Sequence, residues 1–269
     1  GIIVLFLAIL YGRFRVTKRQ KRIIETASRK TNDSIQYAER IQQSILPSMG
    51  YIENCLNEFY ILYKPKDIVS GDFYWVYKQK NGNILIALAD CTGHGVPGAF
   101  MSMIGTALLN EIVIENGVTK VNTILDTIRT HMISSFVQEG SSYHIRDGMD
   151  ITLIDLHVKK RKLSFSGAGQ QFYLLRDGTF IEVKGNYYPV GYYFGREAPF
   201  DIKEMEVIPG DQLYLFTDGI IDQFGGDNDK KFSFKRLKEV ILKGAHLPMH
   251  EQNKILDEAI ISWKGDNAQ

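Results

Sequence analysis

Ala87-Leu88-Ala89-Asp90-Cys91-Thr92-Gly93-His94-Gly95-Val96-Pro97-Gly98-Ala99 is the stretch on which the reading of this chain turns. An apolar run, Ile84 to Ala89, ends in an aspartate, and a Gly-rich turn with a histidine and a proline follows. A long apolar helical pattern then begins. A strand that delivers a carboxylate into such a turn, with a helix leaving behind it, is one way to build a metal or phosphate site. The plainer reading is a strand-to-helix turn in which Asp90 caps the helix and the glycines supply tight dihedrals. The stretch alone accommodates both.

Working outward, Val69–Tyr77 reads as a strand opened by Gly71-Asp72, and Asn81-Gly82-Asn83 is a hairpin signal returning the chain into Ile84–Asp90. Asp72 and Asp90 are nearly equidistant from that turn, so two carboxylates face one another across the pair. Like charges so placed repel unless a cation sits between them, and a divalent ion is the economical candidate. Further downstream, Phe216-Thr217-Asp218-Gly219 repeats the pattern of apolar strand, aspartate and glycine, and Asp222 follows one helical turn later, either joining Asp218 or supporting it from behind.

The remaining elements fill in a mixed fold. Phe59–Tyr63 reads as a strand. Val96 to Asn116 reads as a helix whose apolar face (Phe100, Met101, Met103, Ile104, Ala107, Leu108, Ile112) belongs to the core, and Thr123–Val137 as a second helix. A polar loop, Gln138 to Asp147, follows. Strands are expected at Asp150–Val158, Lys162–Ser166, Phe172–Arg176, Thr179–Val183, Asp201–Ile208 and Gln212–Thr217, with a hairpin turn at Asp177-Gly178 and a loop at Pro189-Val190-Gly191. Gly167–Gln170 reads as a tight strand connection rather than a phosphate loop. Phe234–Lys243 and Met249–Trp263 read as helices.

The N-terminal segment has a different character. Ile2 to Tyr11 is wholly apolar, too short to span a bilayer, and is followed by Arg13, Arg15, Lys18, Arg19, Lys21 and Arg22 without an acid. Basic residues after an apolar run mark the cytoplasmic side, so residues 1–12 read as the end of a transmembrane helix at the inner membrane. A buried apolar terminus is the alternative; a signal peptide has its basic residues on the other side. Over Lys18–Leu46, Ile24, Thr31, Ala38 and Ile45 recur every seven residues, with Ala27, Ser34 and Ile41 three residues after the first three. That is an a/d seam and predicts a weak coiled-coil homodimer over the linker 13–47; the alternative is a helix packed on its own domain. A formal net charge of +1 gives no reason to expect nucleic acid as a partner. Cys55 and Cys91 form no ligand-spaced pair.

Ser70-Gly71-Asp72-Phe73, Asp90-Cys91-Thr92-Gly93-His94-Gly95 and Phe216-Thr217-Asp218-Gly219, in this order, resemble the PPM-type metal-dependent serine/threonine phosphatases, in particular the SpoIIE-like bacterial branch of sporulation and stress-response regulators. Ala38-Glu39-Arg40-Ile41-Gln42-Gln43-Ser44-Ile45-Leu46-Pro47 resembles the linker helix preceding those domains. The resemblance implies an α+β fold over residues 55–269, a four-layer αββα sandwich of two antiparallel sheets, with a binuclear Mn²⁺ or Mg²⁺ site at one edge. It implies Asp72 and Asp218 as metal ligands, Asp90 as the bridging ligand, and the backbone carbonyl of Cys91 as a further one. His94 is a candidate general acid, with a structural hydrogen bond as the alternative. The family's last strand, carrying an Asp-Asp pair, is expected after a stretch like Gly265–Gln269, so the domain reads as truncated at its C-terminus and its second metal as weakly held.

The expected function is a protein phosphatase in membrane-linked bacterial signalling, with a cytoplasmic catalytic domain. It acts on a phosphorylated regulatory protein, an anti-sigma-factor antagonist in related systems. The competing readings are a catalytically weak phosphatase-like module that binds such a regulator, and a phosphohydrolase of small molecules.

Overall fold

The computed structural model describes residues 1–136, 147–193, 198–265 and 267. Helix α1 (Ile2–Ile45) runs without a break into Leu46-Pro47, where the backbone turns extended at Leu46. At 1.5 Å per residue its 44 residues give about 66 Å of rod. Among the described side chains its N-terminal part is exposed, whereas Ile35, Ala38, Gln42, Ile45 and Leu46 turn toward the domain. That i, i+3, i+7 spacing is one helical face. Ala38 and Ile45 of the expected seam therefore lie on the domain side, the packed-helix alternative, while Ile24 and Ile41 stay exposed. The packed body thus begins before residue 55: α2 (Met49–Glu53), capped by the Ser48 hydroxyl, buries Ile52 against Val76 and Ile84.

Two sheets carry the domain. The larger is ordered β1 (Phe73–Lys78), β2 (Ile84–Cys91), β3 (Gly148–His157), β4 (Lys162–Ala168) and β8 (Lys203–Glu206), all antiparallel, with β7 (Val190–Gly191) paired to the start of β3. The smaller is ordered β6 (Thr179–Lys184), β5 (Gln171–Arg176) and β9 (Gln212–Tyr214). The alternation along β5 shows why the layers stack as they do. Phe172 and Leu174 face the larger sheet, packing with Ile154, Leu163, Phe165 and Val183. Tyr173 and Leu175 face the other way, onto α6 (Ser233–Gly244) and α7 (Met249–Lys264), through Leu237, Ile241 and Leu256. Phe165 and Phe172 meet edge to face at 4.9 Å between the sheets, a geometry worth about 1 kcal/mol beyond burial.

The outer face of the larger sheet is covered by α3 (Gly95–Leu109), which continues as a π-helical turn over Asn110–Glu115, and by α4 (Val121–Phe136). The order is helices, sheet, sheet, helices: the four-layer αββα sandwich. Gly95–Glu115 is long and apolar enough to cross a membrane, yet half of it is buried here against the sheet. It is the only such helix among the described residues.

Several elements depart from expectation. Phe59–Tyr63 is extended but has no ladder partner among the described residues, so it is not a strand. Pro189–Gly191 is not simply a loop, because Met149↔Val190 and Gly148↔Gly191 pair. Phe100 is 62% exposed and Ala107 is exposed too. Of the expected face, Met101 and Ile112 are buried and Ile104 and Leu108 pack on the same core, and the small residues Gly98, Ala99, Ser102, Gly105 and Thr106 are buried with them. A Cβ on Gly105 would lie 2.9 Å from the Phe73 ring, so small residues let the helix approach the sheet. The expected loop Gln138–Asp147 lies, apart from Asp147, outside the described residues, as do Asp266, Ala268 and Gln269.

Candidate metal centre

The β1–β2 hairpin sets the site. Its register runs from Lys78↔Ile84 at the turn to Phe73↔Ala89, so the next position outward sets Asp72 opposite Asp90. The turn is built as the sequence suggests: Gln79 N–H donates to the Asn83 carbonyl at 2.8 Å, and Gly82 takes φ +90°. On the other side of β2, Asp90 is paired directly with Asp150 of β3. Asp150 was not foreseen. Its sequence signal is an aspartate between the buried apolar residues Met149 and Ile151, but identifying its neighbour requires the long-range β2–β3 register.

Three loops are locked together by glycines. A Cβ on Gly71 would lie 2.7 Å from the Gly93 carbonyl oxygen and 3.1 Å from that of Cys91. A Cβ on Gly98 would lie 2.5 Å from the Gly93 oxygen and 3.0 Å from Gly71 Cα. The Asp72 loop, the turn after Asp90 and the first turn of α3 thus meet backbone to backbone. Pro97 fits that first turn, where its absent N–H costs no helical bond. Thr92 ties the turn to β3, its backbone N–H donating to the Gly148 carbonyl at 2.9 Å. On the far side, the Asp150 carboxylate rests on Gly169, φ +65°, where any side chain would collide with it.

Asp218 opens a short helix, α5 (Asp218–Asp222), just beyond β9. Next to it, the Thr217 hydroxyl donates to Asp72 Oδ2 at 2.7 Å, joining the two sheets' edges. Three of the four carboxylates, Asp72, Asp90 and Asp150, are shifted upward. Burial, followed by the charges of Asp72 and Asp218, pushes Asp90 up to about 8. Burial also raises Asp72, against the opposing hydrogen bond from Thr217, and raises Asp150, with the charge of Asp218 adding to it. No Lys or Arg among the described residues forms an ion pair with any of the four. Asp72 and Asp90 lie close enough for each to shift the other.

A hard divalent cation suits an all-oxygen donor set of this kind. As they stand, however, no three His, Cys, Asp or Glu side chains among the described residues converge tightly enough to hold one ion. The chemistry of the donors fits a metal; a closed coordination shell is not preformed. Cys91 is buried, and burial followed by the charge of Asp90 pushes its thiol up, away from nucleophilic use. His94 Nδ1 lies 2.8 Å from Asp67 Oδ2, and its side chain is largely exposed. Asp222 pairs with Lys231 at 2.7 Å and lines the same cavity as Asp72, Asp90 and Asp218.

A cavity of about 920 Å³ opens from this cluster into the sandwich. Phe59–Tyr63 forms one wall and Gln212–Thr217 the other, with Leu237, Ile241 and Leu256 beneath. β9 pairs only with β5. Both walls therefore present backbone edges without a ladder partner among the described residues.

Residues 80–269 match the family model of stage II sporulation protein E, SpoIIE. The chain belongs to the SpoIIE family. It is 26% identical over 196 residues to the phosphoserine phosphatase RsbU of Bacillus subtilis, a match covering 70% of this chain and 53% of that protein. The chain spans about half the length of the curated relatives it matches. Among solved structures, the SiaA-PP2C domain of Pseudomonas aeruginosa superposes with a TM-score of 0.79 at 32% identity, covering 90% of this chain and 94% of that one. The PP2C phosphatase domain of Bacillus subtilis SpoIIE, with a fragment of its regulatory domain, superposes at 0.56 with 21% identity, covering 77% and 57%. The PPM-type resemblance and the sandwich are thus established; the SpoIIE model begins at Lys80 and does not reach Asp72.

Proposed function

We propose that the chain is a metal-dependent phosphoprotein phosphatase of the SpoIIE family, acting on phosphoserine or phosphothreonine of a regulatory protein. The observation that carries this is the register-fixed opposition of Asp72 and Asp90, with Asp218 and Asp150 close enough to perturb them. Asp72, Asp90, Asp218 and the Cys91 carbonyl are the residues that would hold Mn²⁺ or Mg²⁺. When bound, two such cations supply an acidified water for in-line attack on phosphorus and hold the phosphoryl oxygens. Asp90 lies between Asp72 and Asp150 in the strand register, which supports reading it as the ligand the cations would share. Thr217 orients the Asp72 carboxylate. His94, held by Asp67, is assigned the structural role in the turn rather than a proton transfer.

The test is Mn²⁺-dependent hydrolysis of a phosphoserine peptide by the full chain and by Asp218→Asn. Loss of activity in the variant, on the order of 100-fold or more, supports the assignment; equal activity, or none with either metal in a chain extended past residue 269, sinks it. One observation favours the weaker module as a second reading: the carboxylates do not close on an ion as they stand. Absence of Mn²⁺ binding by calorimetry would favour the module.

The regulator as partner, the inner-membrane placement through residues 1–12 and dimerisation through α1 belong to the same proposal. The exposed Ile2, Ile3, Phe6 and Leu7, followed by the basic cluster, support the second. Exposed Ile24 and Ile41 support the third, to be tested by sedimentation of the chain with Ile24→Asp: an unchanged oligomeric state would remove it.

A further inference from the structure

Trp263, in the last turn of α7, is where that helix meets the segment that follows Asp218. Its polar groups are both engaged there. Nε1–H donates to the Gln223 carbonyl at 3.2 Å, and the Trp263 carbonyl accepts the Gly226 N–H at 2.8 Å. The two glycines leave no gap. A Cβ on Gly225 would collide with the Trp263 carbonyl oxygen, and one on Gly226, φ +68°, would lie 2.7 Å from the indole ring. The Arg236 guanidinium of α6 lies over the ring, 3.8 Å from its centroid, and Phe232 meets it edge to face at 6.1 Å.

Gln223 is what this clasp holds. It is buried, and it directly follows Asp222, the last residue of α5. Its carbonyl accepts a second bond, from the Phe232 N–H at 2.8 Å. α5 has five residues, too few to hold a helical shape by its own hydrogen bonds. Its first residue is Asp218, so the placement of that carboxylate is set from both ends. On one side stands Thr217, whose hydroxyl reaches Asp72; on the other stands the Gln223–Gly226 clasp. Ile220 and Ile221 pack the turn between onto the apolar cluster beneath. That contact resists separation but is non-directional, whereas the indole N–H bond is made in one geometry only.

We propose that Trp263 is a positioning residue for Asp218: by fixing Gln223 and the glycines after it to the end of α7, it holds α5 in the rotation that keeps Asp218 with Asp72 and Asp90. The inference rests on the reading of Asp218 as a metal ligand. Trp263 does not itself line the cavity that these carboxylates share, so its effect passes through the backbone of α5.

The experiment is calorimetric titration of Mn²⁺ into the full chain and two variants, with Tm measured alongside. Trp263→Phe keeps a ring against Gly226 and Arg236 and removes the Nε1 donor; Trp263→Leu removes the ring as well. Outer groups that orient metal ligands are worth about 10–100-fold in affinity, so Trp263→Leu is expected to bind Mn²⁺ about tenfold more weakly and Trp263→Phe about threefold. Ile52→Val is the stability control, since Ile52 packs with Val76 and Ile84 toward the turn end of the hairpin, away from Asp72 and Asp90. It is expected to lower Tm and leave Mn²⁺ affinity unchanged. A Trp263 variant that melts lower yet binds Mn²⁺ as the parent does would show a fastening of the fold alone and would overturn the proposal. So would an Ile52→Val protein that loses affinity in the same proportion to its loss of Tm. Should Trp263→Leu fail to fold, Trp263→Phe decides. If the parent chain binds no Mn²⁺ at all, the metal reading falls and this falls with it; if the parent binds and both variants match it, only this inference falls.

Discussion

Gly98→Ala isolates the close packing that joins the Asp72 loop to the turn after Asp90. The new methyl would sit 2.5 Å from the Gly93 carbonyl oxygen and 3.0 Å from Gly71 Cα. Both obstacles are backbone, so no rotamer change relieves them. Overpacking of this kind costs about 1–3 kcal/mol, and backbone on two sides argues for about 3. Alanine recovers about 1 kcal/mol of helix propensity over glycine within α3. The net loss is about 2 kcal/mol, which lowers Tm by roughly 4–8 °C for a domain of this size. Gly50→Ala in α2, with no atom within 4 Å of its added Cβ, is the control and should hold or raise Tm. The assay is a calorimetric melt without metal, followed by Mn²⁺ titration. Because the displaced backbones flank Asp72 and Asp90, metal affinity should fall as well. A Gly98→Ala protein that melts at or above the parent temperature would refute the packing argument.

Two further outcomes are expected. Asp90 sits at about 8 in the metal-free fold against about 3.9 unfolded, so the fold binds more protons than the unfolded chain between these values and its stability falls as pH rises from about 4 to 8. Discounted for solvent screening at a partly exposed site, the loss is about 2 kcal/mol; melts at pH 5 and pH 8 should differ by several degrees without metal and by less with Mn²⁺. Arg176 donates to both carboxylate oxygens of Asp211, at 2.8 and 2.6 Å, holding the turn before β9. Arg176→Met should lower the urea midpoint by removing both of these bonds from Asp211; no change in the midpoint would show that the pair contributes nothing.

What the sequence disclosed was mostly local. The Asn81–Asn83 turn fixed the hairpin, and counting outward from it set Asp72 opposite Asp90 before any fold was known. The same holds for Asp177-Gly178, both at positive φ between β5 and β6. What it hid was decided by partners distant in the chain. Phe59–Tyr63 has a strand's residues but no described ladder neighbour. Phe100 is apolar yet faces outward, because the sheet demands the small residues of α3 and close approach outweighs hydrophobicity. Asp222 meets Lys231, and Asp150 meets Asp90, through pairings that no spacing reveals. Trp263 ends a helix legible in the sequence, but only its placement beside Gln223 gives it a task.

The cavity bordered by Phe59–Tyr63 and β9 bears on how the protein behaves in a tube. Peptide groups without a ladder partner among the described residues, at an opening lined largely by apolar side chains, invite strand addition from any extended chain, including a neighbour's unfolded segment. The lip of this opening carries its own guard. Pro65 offers no N–H to an incoming strand, and Lys64 and Lys66 flank it with charge, Lys64 being tied to Asp257 of α7. Stickiness is thereby confined to a length of about five residues, about 17 Å at strand spacing, enough for one strand and too short to seed a growing sheet.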